Sequence, residues 1–238
     1  ADVGFVGLKN LGATCYMNAV MQNLFMQPCI REVVLRAMPS PEELTSTKPE
    51  DSAFFQVQRL FTYLNHSTLE YYNPLGFCKA FKDYDGQPIP LHEHQDGFEF
   101  FNRLVDQIDD DLAARQEPKV LSRTMGGTFA QQITTKTGAV LSETEQAFTA
   151  VSITVREEHN LEQSLRSYIK GDLLEGENAY FSEKEKCKVD AIKRTCIGKL
   201  GRMLVVHLQR FEYNWEVGNR FKLNDRFEFP EEFDMQPY

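Results

Sequence analysis

The sequence predicts an α+β fold in which helices come first and strands follow. Three observations carry it: 3.6-residue apolar periodicity before about Lys119, a change of texture to Thr, Gly, Val and Ile after it, and the two-residue alternation of "FTAVSITV". At 238 residues the chain suits one large domain or two small ones.

In chain order, Met17, Val20, Met21, Leu24 and Phe25 recur at helical spacing and predict a helix with one buried stripe, stopped by Pro28. Residues 39–51, "PSPEELTSTKPED", read as a surface loop. A second helix follows, burying Phe54, Val57, Leu60, Phe61 and Leu64. A third runs from near Glu93 to about Arg115 with Phe98, Phe101, Leu104, Val105, Ile108 and Leu112 as its apolar face. The acidic run Asp109 to Asp111 on that helix reads as a solvated face, with a basic partner surface as the alternative. Val151, Ile153 and Val155 then share one face of a strand, and Asn160 with Gln163 suits a capping box for a short helix through Leu165 and Ile169. "RMLVVHLQRF" reads as an apolar strand buried in a sheet, and "YNWEVGNRFKLNDRFEF" returns through a Gly-Asn turn as its hairpin partner.

The chain carries 35 acidic and 26 basic side chains, a net charge of -9, which argues against nucleic acid and anionic membrane as main partners. The five cysteines are odd in number and scattered without a CxxC pair, so no disulfide framework or evident zinc site is expected. A reducing compartment fits best: the cytoplasm, with the nucleus as the alternative. No apolar run is long enough for a membrane span, and the polar start "ADVGFVG" does not read as a signal peptide.

One cysteine sits where chemistry could use it. In "GLKNLGATCYMNAVMQNLFMQP", Cys15 falls in the first turn of the first helix, where free backbone N–H groups and the helix dipole favour a thiolate. Gly7 and Gly12 permit backbone geometry that side chains forbid, so the Asn10 amide can turn toward the sulfur. An Asn donor together with the Cys15 backbone N–H would form an oxyanion hole for acyl transfer. The alternative for an isolated cysteine is a small buried hydrophobe at a helix start.

The string closely resembles the cysteine box of the ubiquitin-specific proteases, G-L-x-N-x-G-N-T-C-[YF]-M/L-N, with Ala13 in place of the common Asn as in the fat-facets-like branch. Four further segments match in the family's order. "EHQDGFEFF" resembles its Q-Q-D box, "SYIKGDLLEGENAY" its fingers-to-palm segment, "RMLVVHLQRFEYN" its L-x-x-H-L-x-R-F strand, and "FKLNDRFEFPEEFDMQPY" the hairpin after it. The resemblance implies a papain-like cysteine protease fold: a thumb over about 1–121, fingers over about 122–200, and an incomplete palm over about 201–238.

It further implies a deubiquitinase that hydrolyses the isopeptide bond after ubiquitin's C-terminal glycine through an acyl-thioester on Cys15, with Asn10 as oxyanion donor. Asp96 would hold an arginine of the ubiquitin tail, and Phe211 and Lys222 would line the tail channel. Ubiquitin and ubiquitinated proteins are the implied partners, and no cofactor is expected. Where many members bind zinc on two CxxC pairs, this chain has Thr135 with Gly138 and Ser182 with Glu185, none of them a thiolate ligand. The resemblance assigns the general-base histidine to none of His66, His92, His94, His159 and His207, but to a box beyond Tyr238, so turnover by these residues alone is expected to be slight. His94, at the first Gln of the Q-Q-D box, is expected beside the site but not as its base. A non-catalytic ubiquitin-binding module and, without the family, a redox-sensing thiol protein are the competing readings.

Overall fold

A computed structural model describes residues 5–46, 48–115 and 119–238. The first four residues of the polar start, Thr47 of the predicted loop and the three residues after the third helix's expected end lie outside it. The chain divides into two compact units, Ala1–Arg123 and Thr124–Tyr238.

The first unit is helical. In order it holds β1 (Gly7–Leu8), α1 (Cys15–Met26), α2 (Pro28–Arg36), α3 (Pro41–Thr45), α4 (Ala53–His66), β2 (Tyr71–Tyr72), α5 (Leu75–Ala80), α6 (Gly97–Ala114) and the start of α7 (Val120–Met125). The α1 stripe buries Met17, Met21, Leu24 and Phe25, while Val20 is only half-buried. Burial of side chains of this kind contributes roughly 1.5–3 kcal/mol each. Phe25 meets Phe61 of α4 edge-on at 5.4 Å, and Phe77, Phe81 and Phe100 form a ring cluster between α5 and α6.

Pro28 ends α1 as expected, yet it also opens α2. Gln27 is extended and its N–H donates to Leu24 O, which closes one helix, and proline at the first position of the next has no N–H to lose. The helix α2 buries Ile30 and Val34. The third predicted helix begins at Gly97 rather than near Glu93, because Asp96 caps it, and its buried face takes in Phe100 and Asp109 in addition to the expected side chains, while Phe98 is half-buried.

The stretch expected to be a plain surface loop is ordered instead. Ser40 and Glu43 form a capping box on α3, and Pro49–Asp51 makes a single 3-10 turn. Glu43 also accepts from Ser52 Oγ at 2.7 Å and pairs with Arg115 of the α6 C-terminus at 2.6 Å. The Arg115 side chain, 2% exposed, lies 4.1 Å over the Phe54 ring and pairs with Asp111 at 3.3 Å. Nor is the acidic run a wholly solvated face. Asp109, 1% exposed, accepts from the backbone N–H groups of Leu121 (2.9 Å) and Ser122 (2.8 Å) and from the Ser122 hydroxyl. It therefore satisfies the opening N–H groups of α7. Asp110 alone of the three is strongly exposed, and it pairs with Lys119 at 2.8 Å.

The second unit is built on β3 (Gly127–Thr135), β4 (Val140–Phe148), β5 (Val151–Thr154), α8 (Leu161–Lys170), β6 (Asp172–Leu174), β7 (Tyr180–Ser182), β8 (Cys187–Val189), β9 (Ala191–Lys199), β10 (Val206–Gln209), β11 (Phe211–Asn214) and β12 (Asn219–Lys222). Its main sheet runs β4-β3-β9-β6, antiparallel throughout. Val151, Ile153 and Val155 are fully buried, as their alternation predicts, and Leu165 of α8 joins Val151, Ile153 and Tyr238 in a core flanked by Phe129, Phe148 and Leu208. Gln163 N donates to Asn160 Oδ1 at 2.9 Å, but the return arm of the expected capping box reaches one residue earlier: His159 N donates to Gln163 Oε1. Gly171 closes α8 at φ 78°, ψ 167°, a conformation open essentially to glycine alone.

"RMLVVHLQRF" departs from expectation. Its strand is Val206–Gln209, half-buried apart from an exposed Gln209 and paired in parallel with β5, while the final Phe211 already belongs to β11. The hairpin is β11 with β12, in register Phe211↔Lys222, around a turn at Trp215–Gly218 rather than at the Gly-Asn step. Arg210 separates the strands: its guanidinium donates to the carbonyls of Leu223 and Asp225 at 3.1 and 3.0 Å. The last segment, 223–238, is largely irregular rather than a hairpin, and it joins the head of α8 through Leu161 N to Glu228 O at 2.9 Å.

Burial alone would raise the Glu43 carboxyl, but hydrogen bonds from Ser52 and Ser40 and the Arg115 guanidinium outweigh it, so its proton affinity is held below the ordinary carboxylate range. A lowered folded-state value contributes stability above the unfolded carboxyl's range and loses it as pH falls through the folded value. Burial first pushes the Asp111 carboxyl the other way, and the Glu43 charge adds to that rise, so a Glu43 variant keeps the larger, burial part of it. Glu43→Gln is therefore expected to flatten the acid limb of stability measured by urea melts from about pH 6 to about pH 3. Parallel acid limbs for the two proteins would contradict this.

Candidate active site

The site is built from a five-residue bracket. Asn10 Oδ1 accepts from Gly12 N (3.2 Å), Thr14 N (3.2 Å) and Thr14 Oγ1 (3.1 Å), while Thr14 Oγ1 in turn accepts from Leu11 N at 3.0 Å. Thr14 is fully buried and its carbonyl accepts from Asn18 N, so the bracket is fused to the first turn of α1. Asn18 reaches back, its Nδ2 donating to the carbonyls of Leu8 and Lys9, both at 3.3 Å. With Oδ1 committed three times, Asn10 presents its amide N–H₂ end without a protein partner among the described residues. Thr14 is the anchor that sequence reasoning missed. Its only signal was the i, i+4 spacing of Asn10 and Thr14.

Of the two glycines, one is required for its geometry. Gly12 sits at φ +127°, and a Cβ there would lie 2.4 Å from Leu91 O. This approach lets Ala13 N donate to Leu91 O at 2.8 Å, tying the bracket to the chain ahead of α6. Gly7 has an ordinary backbone. Its N–H donates to Glu70 O at 2.8 Å beside β2, and a Cβ there would only graze that carbonyl at 3.4 Å.

Cys15 is the first residue of α1, and it is exposed, unlike a buried hydrophobe at a helix start. Its Sγ lies 3.9 Å from His94 Nδ1. Beside it Tyr16 stands edge-on to Phe100 at 5.5 Å, and its phenol is pushed up to about 12 by burial first, then by the neighbouring Cys78 and Cys15. Asp96 is the N-cap of α6: Oδ1 accepts from Phe98 N (2.7 Å) and Glu99 N (3.1 Å). It lines a shallow cavity with Tyr16, Phe81, Tyr84, Gln95 and Arg103. Asn10, Cys15 and Asp96 all belong to the first unit.

Phe211 and Lys222 belong to the second. They are directly paired across the β11–β12 hairpin, with Lys222 Nζ 5.8 Å from the Phe211 ring centroid. His207 lies opposite Ser152 in the β10–β5 ladder and its Nδ1 contacts Ser152 Oγ at 3.0 Å. His66 contacts Asn65 at 3.0 Å, and both His92 and His159 are exposed. At the positions matching the zinc-bearing pairs, hydrogen bonds close the turns: Ala139 N donates to Thr135 Oγ1 at 3.0 Å and Glu185 N to Ser182 Oγ at 3.3 Å. Lys136 in the first of these turns pairs with Asp190 at 2.8 Å. Among the described residues no cluster of three His, Cys, Asp or Glu side chains could hold a metal.

An exposed thiol at a helix start behind a rigid Asn loop is the arrangement of a thiol hydrolase, and the fold agrees. The chain is similar to a solved SAGA Ubp8/Sgf11/Sus1/Sgf73 DUB module bound to ubiquitin aldehyde, at TM-score 0.78 and 22% identity over 98% of this chain and 52% of that one. The architecture is the papain-like cysteine protease fold. The family described as ubiquitin carboxyl-terminal hydrolase matches residues 6–238, and the chain belongs to it. Human ubiquitin carboxyl-terminal hydrolase 9Y is 41% identical over 99% of the chain and 11% of its own length. For human ubiquitin carboxyl-terminal hydrolase 24 the figures are 43%, 99% and 9%. The Drosophila melanogaster protein named "Probable ubiquitin carboxyl-terminal hydrolase FAF" is 36% identical over 99% and 10%, placing the chain in the fat-facets-like branch. The chain spans about a tenth of the length of these relatives.

Gly12→Ala forces a side chain into a left-handed conformation and against the Leu91 carbonyl. It is expected to cost about 2–4 kcal/mol in urea unfolding. A cost below about 0.5 kcal/mol would show that the loop does not depend on this approach.

Proposed function

We propose that the protein is a ubiquitin-specific thiol protease. In this reading the Cys15 thiolate attacks the carbonyl of ubiquitin's C-terminal glycine, the lysine amine of the substrate departs, and water then hydrolyses the thioester. The oxyanion of each tetrahedral intermediate is held by the Asn10 amide N–H and the Cys15 backbone N–H. Asp96 has one oxygen committed to capping α6 and a second for an arginine of the ubiquitin tail, a charge-assisted contact that fixes the tail's register. Phe211 and Lys222 line the channel for that tail.

The observation that carries the reading is the bracket. Its three bonds to Asn10 Oδ1 orient the amide so that only its donor end remains for a ligand. A module that merely binds ubiquitin has no chemical use for an oriented Asn donor ahead of an exposed thiol. The five free cysteines support a reducing compartment, the cytoplasm or the nucleus.

Ubiquitin bearing a C-terminal vinyl sulfone tests the assignment. A covalent adduct is expected on Cys15 by peptide mass spectrometry, absent in Cys15→Ala. Reversible ubiquitin binding with no adduct on the wild-type protein would favour a non-catalytic binding module and contradict the hydrolase. Asn10→Asp separates the two ends of the amide, since it keeps the Oδ1 acceptor and removes the donor. Measured in a longer chain that includes the family's histidine box, it is expected to lower kcat for a ubiquitin C-terminal amide by about 10²–10³-fold at unchanged melting temperature. Unchanged kcat would remove Asn10 from the oxyanion hole.

A further inference from the structure

His94 is an exposed residue on the segment that leads into α6, but the backbone fixes where it stands. At one end of the segment Leu91 O accepts from Ala13 N at 2.8 Å, a contact that the missing Gly12 side chain permits. At the other end Asp96 makes two N-cap bonds, and the next residue, Gly97, lies against Tyr16, with a Cβ there 3.7 Å from the Tyr16 Cβ. Both ends are thus clamped to the same helix start that carries Cys15, and His94 Nδ1 faces Sγ at 3.9 Å. That distance is at the long end for an S–H···N bond.

We propose that His94 is a proton acceptor for Cys15 in the resting protein, supplied from the helical unit itself. The S–H bond breaks, the proton moves to Nδ1, and a thiolate–imidazolium pair forms with no change in total charge. No oxidant or further reactant is needed. Glutamine, which the usual Q-Q-D run carries at this position, has no basic nitrogen, so the device comes from the residue present in this chain.

Glu93 and Asp96 are the acidic residues of the same segment as His94, both exposed. On α1, Tyr16 has its phenol pushed up to about 12 and stays neutral. His92 Nδ1 lies 3.9 Å from where a Gly12 Cβ would be, and Lys9 is the cation of the loop that precedes the bracket. The consequence for catalysis rests on Cys15 being the nucleophile proposed above, whereas the proton transfer itself does not.

The test is alkylation of Cys15 by iodoacetamide, in which the thiolate attacks the methylene carbon and iodide leaves. It is read peptide by peptide in the 238-residue protein, with exposed Cys29 and Cys187 as internal references. His94→Asn and His94→Gln, checked for an unchanged melt, are expected to slow Cys15 alkylation about tenfold near pH 6 and less than about twofold near pH 9, where thiols ionise unaided. His92→Asn is expected to change neither. Identical pH profiles in wild type and both His94 variants would overturn the proposal, as would an equal slowing at every pH, which marks a steric role. A His94-dependent profile without any ubiquitin vinyl sulfone adduct would uphold the proton acceptor and sink the deubiquitinase reading.

Discussion

One carbonyl oxygen organises the reactive end of this protein. Asn10 Oδ1 gathers Gly12 N, Thr14 N and the Thr14 hydroxyl, and in doing so converts a flexible loop into a bracket welded to α1. Three neutral hydrogen bonds of this kind contribute only about 1 kcal/mol each to stability. Their more important effect is geometric: an amide whose oxygen is committed can present only its N–H₂ end. The same bracket sets Cys15 at the first position of the helix, whose opening backbone N–H groups have no partner within the helix.

The bracket is backed by a helix held through its buried stripe. Met17 and Met21 are fully buried, and Leu24 and Phe25 nearly so, against a core that includes α4 and its Phe61. Tyr16 and Phe100 bring α6 alongside, and Asp96 caps α6 in turn. Farther along α6, Arg115 and Glu43 draw in α3, while Asp109 ties down the start of α7. Ion pairs and hydrogen bonds of buried polar groups thus fix the ends of elements whose middles are held by apolar burial.

Much of this was legible from spacing. A helix that buries one stripe must repeat its apolar residues, so α1, α4 and α6 announced themselves, as did the buried face of β5. Cys15 at the helix start was likewise visible in its motif, whereas Asp96, read inside a helix beginning near Glu93, instead caps it. What escaped depends on partners distant in sequence. The α3 segment is rich in Pro, Ser and Glu, and its order comes from Ser52 and Arg115. Asp109 looked like one of three solvated acids, yet it serves N–H groups twelve and thirteen residues away. Pro28 carries two meanings at once, an end and a beginning. Arg210 breaks a run of apolar residues that periodicity alone joined into one strand. His94 was legible only as a neighbour of the site, since its approach to Cys15 follows from the Gly12–Leu91 contact.

The most direct test of the account is a crystal structure of the protein with ubiquitin aldehyde added to Cys15. The hemithioacetal oxygen is predicted to lie about 2.7–3.1 Å from both Asn10 Nδ2 and the Cys15 backbone N, with Asn10 Oδ1 still bonded to Gly12 and Thr14. An oxygen turned away from Asn10, or an amide flipped to free Oδ1, would contradict it.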